Sequence, residues 1–468
     1  MGIQYAGEYN LEVCELITSG GVYIDLKHTI IQLDLFEEIF KTGITGSITV
    51  ADTNGIVQEG QVIGQDYLRI KISTPSLDSD DPNSTIDYTD NPFIVHKINS
   101  RFDVSKNGEV FQLNFMSPEV LQNYRIRLSR SFTETNSKIF EQIMRSPTII
   151  DSRKRLHIEN TNGVKKYVAP NVAPFDFIGT MIDDSVSKTE GNPHFLFFEN
   201  TKGYHFRSLQ SLYNEPISAE FNDGDVGLLQ NEGSTKVRDI EQEFRRALYY
   251  ETSVQNDMLA NITGGLLGST YIQYNMFHKK YSLTTQGYFD NFKDYQRING
   301  KDKKLDNPIY TENSIDEYGN SVGDFKNARV FLGSTNVVDS NNGNASFYNN
   351  NTSSYSFSPN TKSKTVLQNM AKMFELNSTI SATLQVNGHT NLAAGQCINM
   401  SRPSGGDDVD EEFSGKFLIT KLRHVFSEPT RKHEVMMSIS KDSSVGVENK
   451  SYRQPKGKRQ PITYIENY

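Results

Sequence analysis

The sequence predicts a β-rich α+β protein with two similar antiparallel β-barrels in one chain, and an α+β unit and a long insertion between them. Three observations predict it. Short apolar runs alternate or are β-branched, the apolar content is concentrated in 23 Tyr and 27 Phe with no Trp, and a pattern repeats at an offset of 324 residues. At 468 residues the chain exceeds one ordinary core, and length alone suggests roughly three or four domains.

The first barrel is expected over 8–125. Leu11–Val13, Val22–Leu26, Ile30–Leu33, Gly46–Val50 and Tyr67–Ile72 read as strands with turn residues between them. Phe93–Phe102 and Val110–Phe115 flank Lys106-Asn107-Gly108, and Asn-Gly between apolar runs is a strong hairpin signal. An α+β domain follows over 126–215. Ile139, Phe140, Ile143 and Met144 have helical spacing behind Thr135 or Asn136 as N-cap. A second helix opens at Pro174 and aligns Phe177, Ile178, Met181, Ile182 and Val186. Phe195–Glu199 and Tyr204–Arg207 read as a hairpin. Val237, Ile240, Phe244 and Leu248 fit one amphipathic helix, while Ala247–Val254 fit a strand equally. The second barrel is assigned to 216–255 plus 378–447, interrupted by an insertion domain, 256–377. That insertion has an Asn/Ser-rich stretch (335–361) and a helix over 363–376 carrying Val366, Leu367, Met370, Met373 and Phe374. A tail over 448–468 carries Lys450, Arg453, Lys456, Lys458 and Arg459.

The repeat sets Phe93–Phe102 over Phe417–Phe426. Phe93, Lys97 and Phe102 match Phe417, Lys421 and Phe426, and three further positions exchange among Ile, Val and Leu. The offset continues without a gap through a hairpin loop of equal length and pairs Phe111, Leu113 and Phe115 with Val435, Met437 and Ile439. Upstream, Gly64-Gln recurs as Gly395-Gln, and Gly46–Val50 resembles Ala382–Val386. The loop from Ser73 to Asn91 holds Asp78, Asp80, Asp81, Asp87 and Asp90. The loop from Ser401 to Gly415 holds Asp407, Asp408, Asp410, Glu411 and Glu412. Each copy is a small antiparallel sheet that must close or pair to hide its edges. Three copies of a duplicated chain present six similar modules, which suits a trimer that mates with a sixfold object.

Chemistry is mostly excluded. A net charge of −9 argues against wrapping nucleic acid through a basic surface. Cys14 and Cys397 lack any metal-ligand spacing and read as two buried, reduced thiols. No nucleophile-elbow, zinc-protease, Walker or dinucleotide motif is present, so neither catalytic residue nor metal nor cofactor is expected. Glu141 and Asp176 read as solvated helix flanks. His96, His389, His424 and His433 have no ligand or triad spacing and read in part as barrel residues with satisfied ring nitrogens. Gly264, Gly265 and Gly268 read as close packing or a turn. Met1–Tyr9 lacks the pattern of a secretory signal and no apolar run reaches the roughly 18 residues of a membrane span, so a soluble protein without stable membrane association is expected. The acidic loops fit no calcium-loop spacing. Their plain reading is solvation; a sharper one is an acidic ring that repels DNA in a channel or meets a basic partner. The basic tail reads as a solvated end, or as a segment that docks on an acidic groove or touches DNA.

The two barrel segments, the helical unit from Thr135, the Pro174 helix, Gly388–Gln396 and the closing segment Gly415–His424 together resemble the central baseplate hub protein of T-even-like contractile-tailed phages, related to the hub portion of type VI secretion spikes. The resemblance covers most of 8–255 and 363–445. It implies two tube-like barrels per subunit in a homotrimeric, pseudo-sixfold ring that adapts a hexameric tail tube to a trimeric, cell-puncturing central spike. The implied partners are the chain itself, the tube protein, the spike protein and other baseplate proteins, with DNA only as cargo through a channel. The implied location is the virion tail baseplate, assembled in the host cytoplasm. Two other classes stand beside it: a β-rich virion adhesin or carbohydrate-binding module, and a tail-associated polysaccharide-degrading enzyme.

Overall fold

A computed structural model describes residues 5–444 except 54, 57–59, 61, 76–84, 106–107, 224–239, 276–278, 293–295, 300–306, 313–314, 316–317, 336–358, 404–409 and 411. The chain forms two compact units: residues 1–253 with 382–440, and residues 254–381 with 441–468.

The first unit opens with β1 (Asn10–Ile17), β2 (Tyr23–Asp25), β3 (Ile30–Glu38), β4 (Thr45–Asp52), β5 (Tyr67–Ser73), β6 (Thr85–Asp87), β7 (Phe93–Ser105) and β8 (Gly108–Met116). They pair in the order β3-β4-β8-β7-β5-β1-β2, with β6 added beside β5. Alternation explains the packing. Every second residue of β4 and β5 is buried, so Ile48, Val50, Leu68, Ile70 and Ile72 join Phe93, Phe111 and Phe115 in one core. The first acidic segment is not wholly loop, because β6 lies within it and pairs Ile86 with Ile72.

Next come β9 (Ser131–Glu134), β10 (Leu156–Ile158), β11 (Lys165–Val168), β12 (Phe195–Asn200) and β13 (Gly203–Ser208), with helices Pro118–Arg125, Asn136–Arg145 and Pro174–Asp183. Thr135 is the N-cap of the second helix, and its side chain accepts from Lys138 N–H. Asn136 instead donates to Met181 O at 3.1 Å and Ser185 Oγ at 2.9 Å, tying that helix to the next. The third helix ends at Asp183, so Val186 lies beyond it. Phe140, Phe175, Phe197 and Phe206 fill this core. Beside it, Lys154 is buried between Glu119 at 2.8 Å and Glu199 at 2.6 Å.

The ambiguous stretch before residue 256 holds both elements in succession. Between β14 (Ile217–Asn222) and β15 (Ala247–Gln255) lies a short helix, Ile240–Arg245, while Val237 falls outside the described residues. In the second unit, β16 (Gly268–Asn275) pairs antiparallel with β17 (Lys280–Gly287) and parallel with β18 (Arg329–Thr335). The helix here runs Pro359–Ser378, longer than the apolar spacing predicts. Of the Asn/Ser-rich stretch, 336–358 lies outside the described residues. Lys372 and Glu375 on that helix are buried with Arg297 and Asp442 as two cations facing two carboxylates.

The sheet resumes with β19 (Ile380–Asn387), β20 (Cys397–Ser401), β21 (Gly415–Ser427) and β22 (Lys432–Lys441). Their order, β15-β19-β22-β21 with β20 on β21, repeats β3-β4-β8-β7-β5 strand for strand. One departure follows: β14 joins β20 in parallel, whereas β1 joins β5 antiparallel. The β-rich α+β class therefore holds. The two copies are joined edge to edge through β3 and β21 into one sheet, and no closed barrel is present among the described residues.

Candidate interaction surface

The seam between the copies is built by a strand that changes partner halfway along. The first part of β21 pairs with β20, from Gly415↔Met400 to Leu418↔Cys397. The second part pairs with β3, from Lys421↔Glu38 to Ser427↔Gln32. Between them the register against β22 slips at Thr420. A bulge bends a strand and raises its local twist, which lets one strand serve two neighbours. The β7–β8 hairpin slips at the equivalent residue, His96. The registers coincide at the offset of 324: Val95↔Phe115 beside Ile419↔Ile439, Lys97↔Asn114 beside Lys421↔Ser438, and Asn99↔Gln112 beside Arg423↔Met436.

Beyond Asn99 the copies diverge. Ser100 has a left-handed φ of 51° and inserts an extra residue opposite β8, so Phe102 pairs with Val110. The residue at that position in the other hairpin is Val425, not Phe426. Phe102 is therefore turned to the outer face and 54% exposed, while Phe426 is buried. The turns differ as well: Ser105↔Gly108 closes one across two residues and Ser427↔Lys432 closes the other across four. Equal chain length hides two geometries. The expected Asn-Gly turn has Lys106 and Asn107 outside the described residues. Phe93 and Phe417 are both fully buried, and Lys97 and Lys421 are both exposed.

The seam carries charge across it. Arg423 donates to Asp34 at 3.0 Å, and Lys421 meets Glu38 at 3.1 Å. Gln32 and Ser47 also donate to the Asp34 carboxylate. One residue along, buried Glu37 accepts from Thr201 N–H in the β12–β13 turn at 2.8 Å and from Ala394 N–H at 2.7 Å. Burial pushes its carboxyl up to about 7, and the two N–H donors hold it lower than burial alone would. Ala394 precedes Gly395, whose φ of +87° resembles the +83° of Gly64. Both Gly-Gln turns thus share a left-handed glycine before a strand of the repeat.

His424 and His433 read as unrelated in sequence, yet their rings meet across β21–β22 with Nδ1 and Nε2 3.0 Å apart, both fully buried. Burial lowers His424 to about 3, helped by the charge of Lys202, and drives His433 well below its ordinary value. Two neutral imidazoles sharing one proton fit this geometry. Sequence spacing gave no sign of the pair; only the hairpin register faces them. His96 is exposed. Glu141 and Asp176 are exposed, and Cys14 and Cys397 are buried and unbridged. Among the described residues no group of three or more His, Cys, Asp or Glu could hold a metal, and no helix is long and apolar enough to cross a membrane.

Of the acidic residues, Asp87 accepts from Thr89 N–H at 2.9 Å and Asp410 from Glu412 N–H at 3.1 Å, the same turn two residues on. Asp90 is exposed and Glu412 half-buried. Asp78, Asp80, Asp81, Asp407, Asp408 and Glu411 lie outside the described residues, as do Lys450, Arg453, Lys456, Lys458 and Arg459.

No family model matches the chain, and no curated protein matches it. Solved structures do. A tail protein from Neisseria meningitidis MC58 is similar at a TM-score of 0.50 and 8% identity, over 93% of this chain and 97% of that one. The 43 kDa tail protein of prophage MuSo2 from Shewanella oneidensis gives 0.49 and 7%, over 93% and 100%. The E. coli c3393 protein, a component of the type VI secretion system, gives 0.41 and 11%, over 97% and 81%. The first of these shows what is shared: the chain has the fold of a bacterial tail protein across nearly its whole length.

Proposed function

We propose that the protein is a structural subunit of a contractile phage tail, the baseplate hub, which forms a homotrimeric pseudo-sixfold ring between a hexameric tail tube and a trimeric central spike. One observation carries the reading: the same five-strand order occurs twice in one chain, joined edge to edge by β3 and β21. A chain with two such modules supplies six in a trimer, which resolves the symmetry mismatch between a sixfold and a threefold partner. The fold shared with the Neisseria tail protein supports a tail role. The work in this reading is mechanical, with the residues engaged along sheet edges and hairpins. Acidic loops at Asp78–Asp81 and Asp407–Glu412 then face partners or a DNA channel, and the basic tail from Lys450 docks on an acidic neighbour.

Native mass measurement with pull-down against the tail-tube and spike proteins tests this. A trimer that retains both partners is expected. A monomer that binds neither overturns the reading, and measurable glycan affinity or glycan cleavage would put an adhesin or a polysaccharide-degrading enzyme in its place.

A further inference from the structure

Lys154 sits between two carboxylates in the core beside β12. Its Nζ lies 2.6 Å from Glu199 Oε1 and 2.8 Å from Glu119 Oε2, and all three side chains are more than nine-tenths buried. The ring centroids of buried Tyr88 and Tyr204 are each 5.6 Å from the ammonium. Among the described residues, Lys154 is the only cation bonded to either carboxylate. Buried Lys372 differs on this point. It also meets two carboxylates, Glu375 and Asp442, but Arg297 joins them and the charges balance. Around Lys154 one negative charge is left over, and a site shielded from water removes such an excess by holding a proton. Glu199 is the carboxyl that holds it. Burial raises it and the charge of Glu119 acts in the same direction, against Lys154.

A protonated carboxyl beside an amine is the reactant pair of an amide. Glu199 is also set for attack: Oε2 accepts from Ile44 N–H at 3.0 Å, so a backbone donor already sits where negative charge would develop. Oε1, in contact with Nζ, is then the oxygen that leaves. Burial lowers Lys154, yet the two carboxylates outweigh it and hold the ammonium. A base must therefore take a proton before Nζ attacks, and Glu119 Oε2 touches it. Ser152 Oγ donates to the other Glu119 oxygen at 2.7 Å, which fixes that carboxylate in place. Reactants held in this way reach an effective concentration of about 10⁵ M or more, which favours a condensation that free molecules in water resist.

We propose that Lys154 and Glu199 condense after folding into an intramolecular isopeptide bond, with Glu119 as the proton carrier. Glu119 takes one proton from the Lys154 ammonium. The neutral Nζ bonds to Cδ of protonated Glu199, and the charge that develops on Oε2 faces Ile44 N–H. Glu119 gives its proton to Oε1 and takes another from the nitrogen. The Cδ–Oε1 bond breaks and Oε1 leaves as water, so the products are a neutral amide, one water and a protonated Glu119. The bond ties the chain just ahead of β10 to β12 across β13, whose parallel pairing with β10 spans only Leu156–Ile158. A covalent tie keeps that short pairing closed under load. It does not depend on the hub reading.

Electrospray mass measurement of the denatured, full-length wild-type chain tests it. A mass one water below that of the sequence is expected, and tryptic digestion is expected to give a branched peptide joining Lys154 to Glu199. Lys154→Arg keeps the positive charge and is expected to show the full mass of its sequence. Glu119→Gln, shown to be folded by circular dichroism, is expected to form the branched peptide on the order of a hundredfold more slowly after refolding. Formation at the wild-type rate in that variant would remove Glu119 as the proton carrier. A wild-type chain with its full sequence mass and a free Lys154 overturns the proposal and leaves an ion-paired cluster. Loss of water mapped to any other pair of residues overturns it too.

Discussion

Arg423 donates from Nε and Nη2 to one oxygen of Asp34, at 3.1 and 3.0 Å, across the seam where the two copies of the sheet meet. Asp34 is buried and also accepts from Gln32 and Ser47, whereas the Arg423 side chain is partly exposed. The two ends of this pair are therefore unequal. Asp34→Ala strands three donors and is expected to cost about 2–3 kcal/mol, whereas Arg423→Ala leaves Asp34 two partners and costs about 1 kcal/mol. Hydrogen exchange along β3 and β21 reads both, because local opening of the seam precedes global unfolding.

Glu37 joins β3 to two turns through backbone N–H groups of Thr201 and Ala394. Glu37→Gln keeps the shape but turns an NH2 toward an N–H, and a loss of about 1–3 kcal/mol is expected. Burial raises the folded carboxyl to about 7, above its unfolded value. The folded state thus binds the extra proton between those values, and this group's contribution falls as pH rises toward 7. The melting temperature of Glu37→Gln relative to wild type, followed from pH 5 to pH 8, should lose that slope. An unchanged slope would remove Glu37 as its source.

The His424–His433 pair acts in the opposite sense. Both rings are held neutral by burial, with His424 at about 3. The unfolded chain takes up these protons first, so stability falls as pH drops below about 6.5, the ordinary histidine value. His433→Phe preserves the ring that stacks on Phe426 at 4.1 Å but leaves Nδ1 of His424 without its partner. It is expected to be less stable at pH 7.5 and to show a shallower decline between pH 6.5 and pH 5 by thermal melting.

The paired glycines separate strain from space. A Cβ at Gly395 would meet the Phe198 ring at 2.8 Å, whereas at Gly64 its nearest neighbour is backbone at 3.6 Å. Both have left-handed φ. Gly64→Ala is expected to cost about 1 kcal/mol, the backbone penalty alone, and Gly395→Ala more than about 2 kcal/mol. Urea midpoints measured side by side decide it; equal losses would mean that Phe198 yields freely.

In the second unit, Lys372 bonds Asp442 and Glu375 at 2.8 Å each, all three buried. Despite burial, Lys372 and Arg297 hold the Asp442 carboxyl below its usual range. Lys372→Met leaves two carboxylates facing one guanidinium, and a loss of about 3–5 kcal/mol is expected from equilibrium unfolding. A neutral substitution would show that the cluster is replaceable by apolar packing.

Much of this was legible from local pattern. Period-two alternation located β4, β5, β8 and β22, Thr135 and Pro174 marked helix starts, and the match of Phe93–Asn99 to Phe417–Arg423 located two hairpins with one register. These are short-range properties: a strand's faces and a helix's cap depend on residues a few positions apart. The tertiary structure decided the rest. The bulge at Ser100 reversed the face of Phe102, and one inserted residue does that without altering the hydrophobic composition. Lys154 and Lys372 look like surface residues in sequence, yet each is buried against carboxylates 35 and 70 positions away, Glu119 and Asp442. The joining of β3 to β21 was invisible as well, because edge strands select partners by which edges remain open after each copy has paired internally. That choice belongs to the assembled sheet. It turned two similar modules into one continuous sheet, joined through β3 and β21.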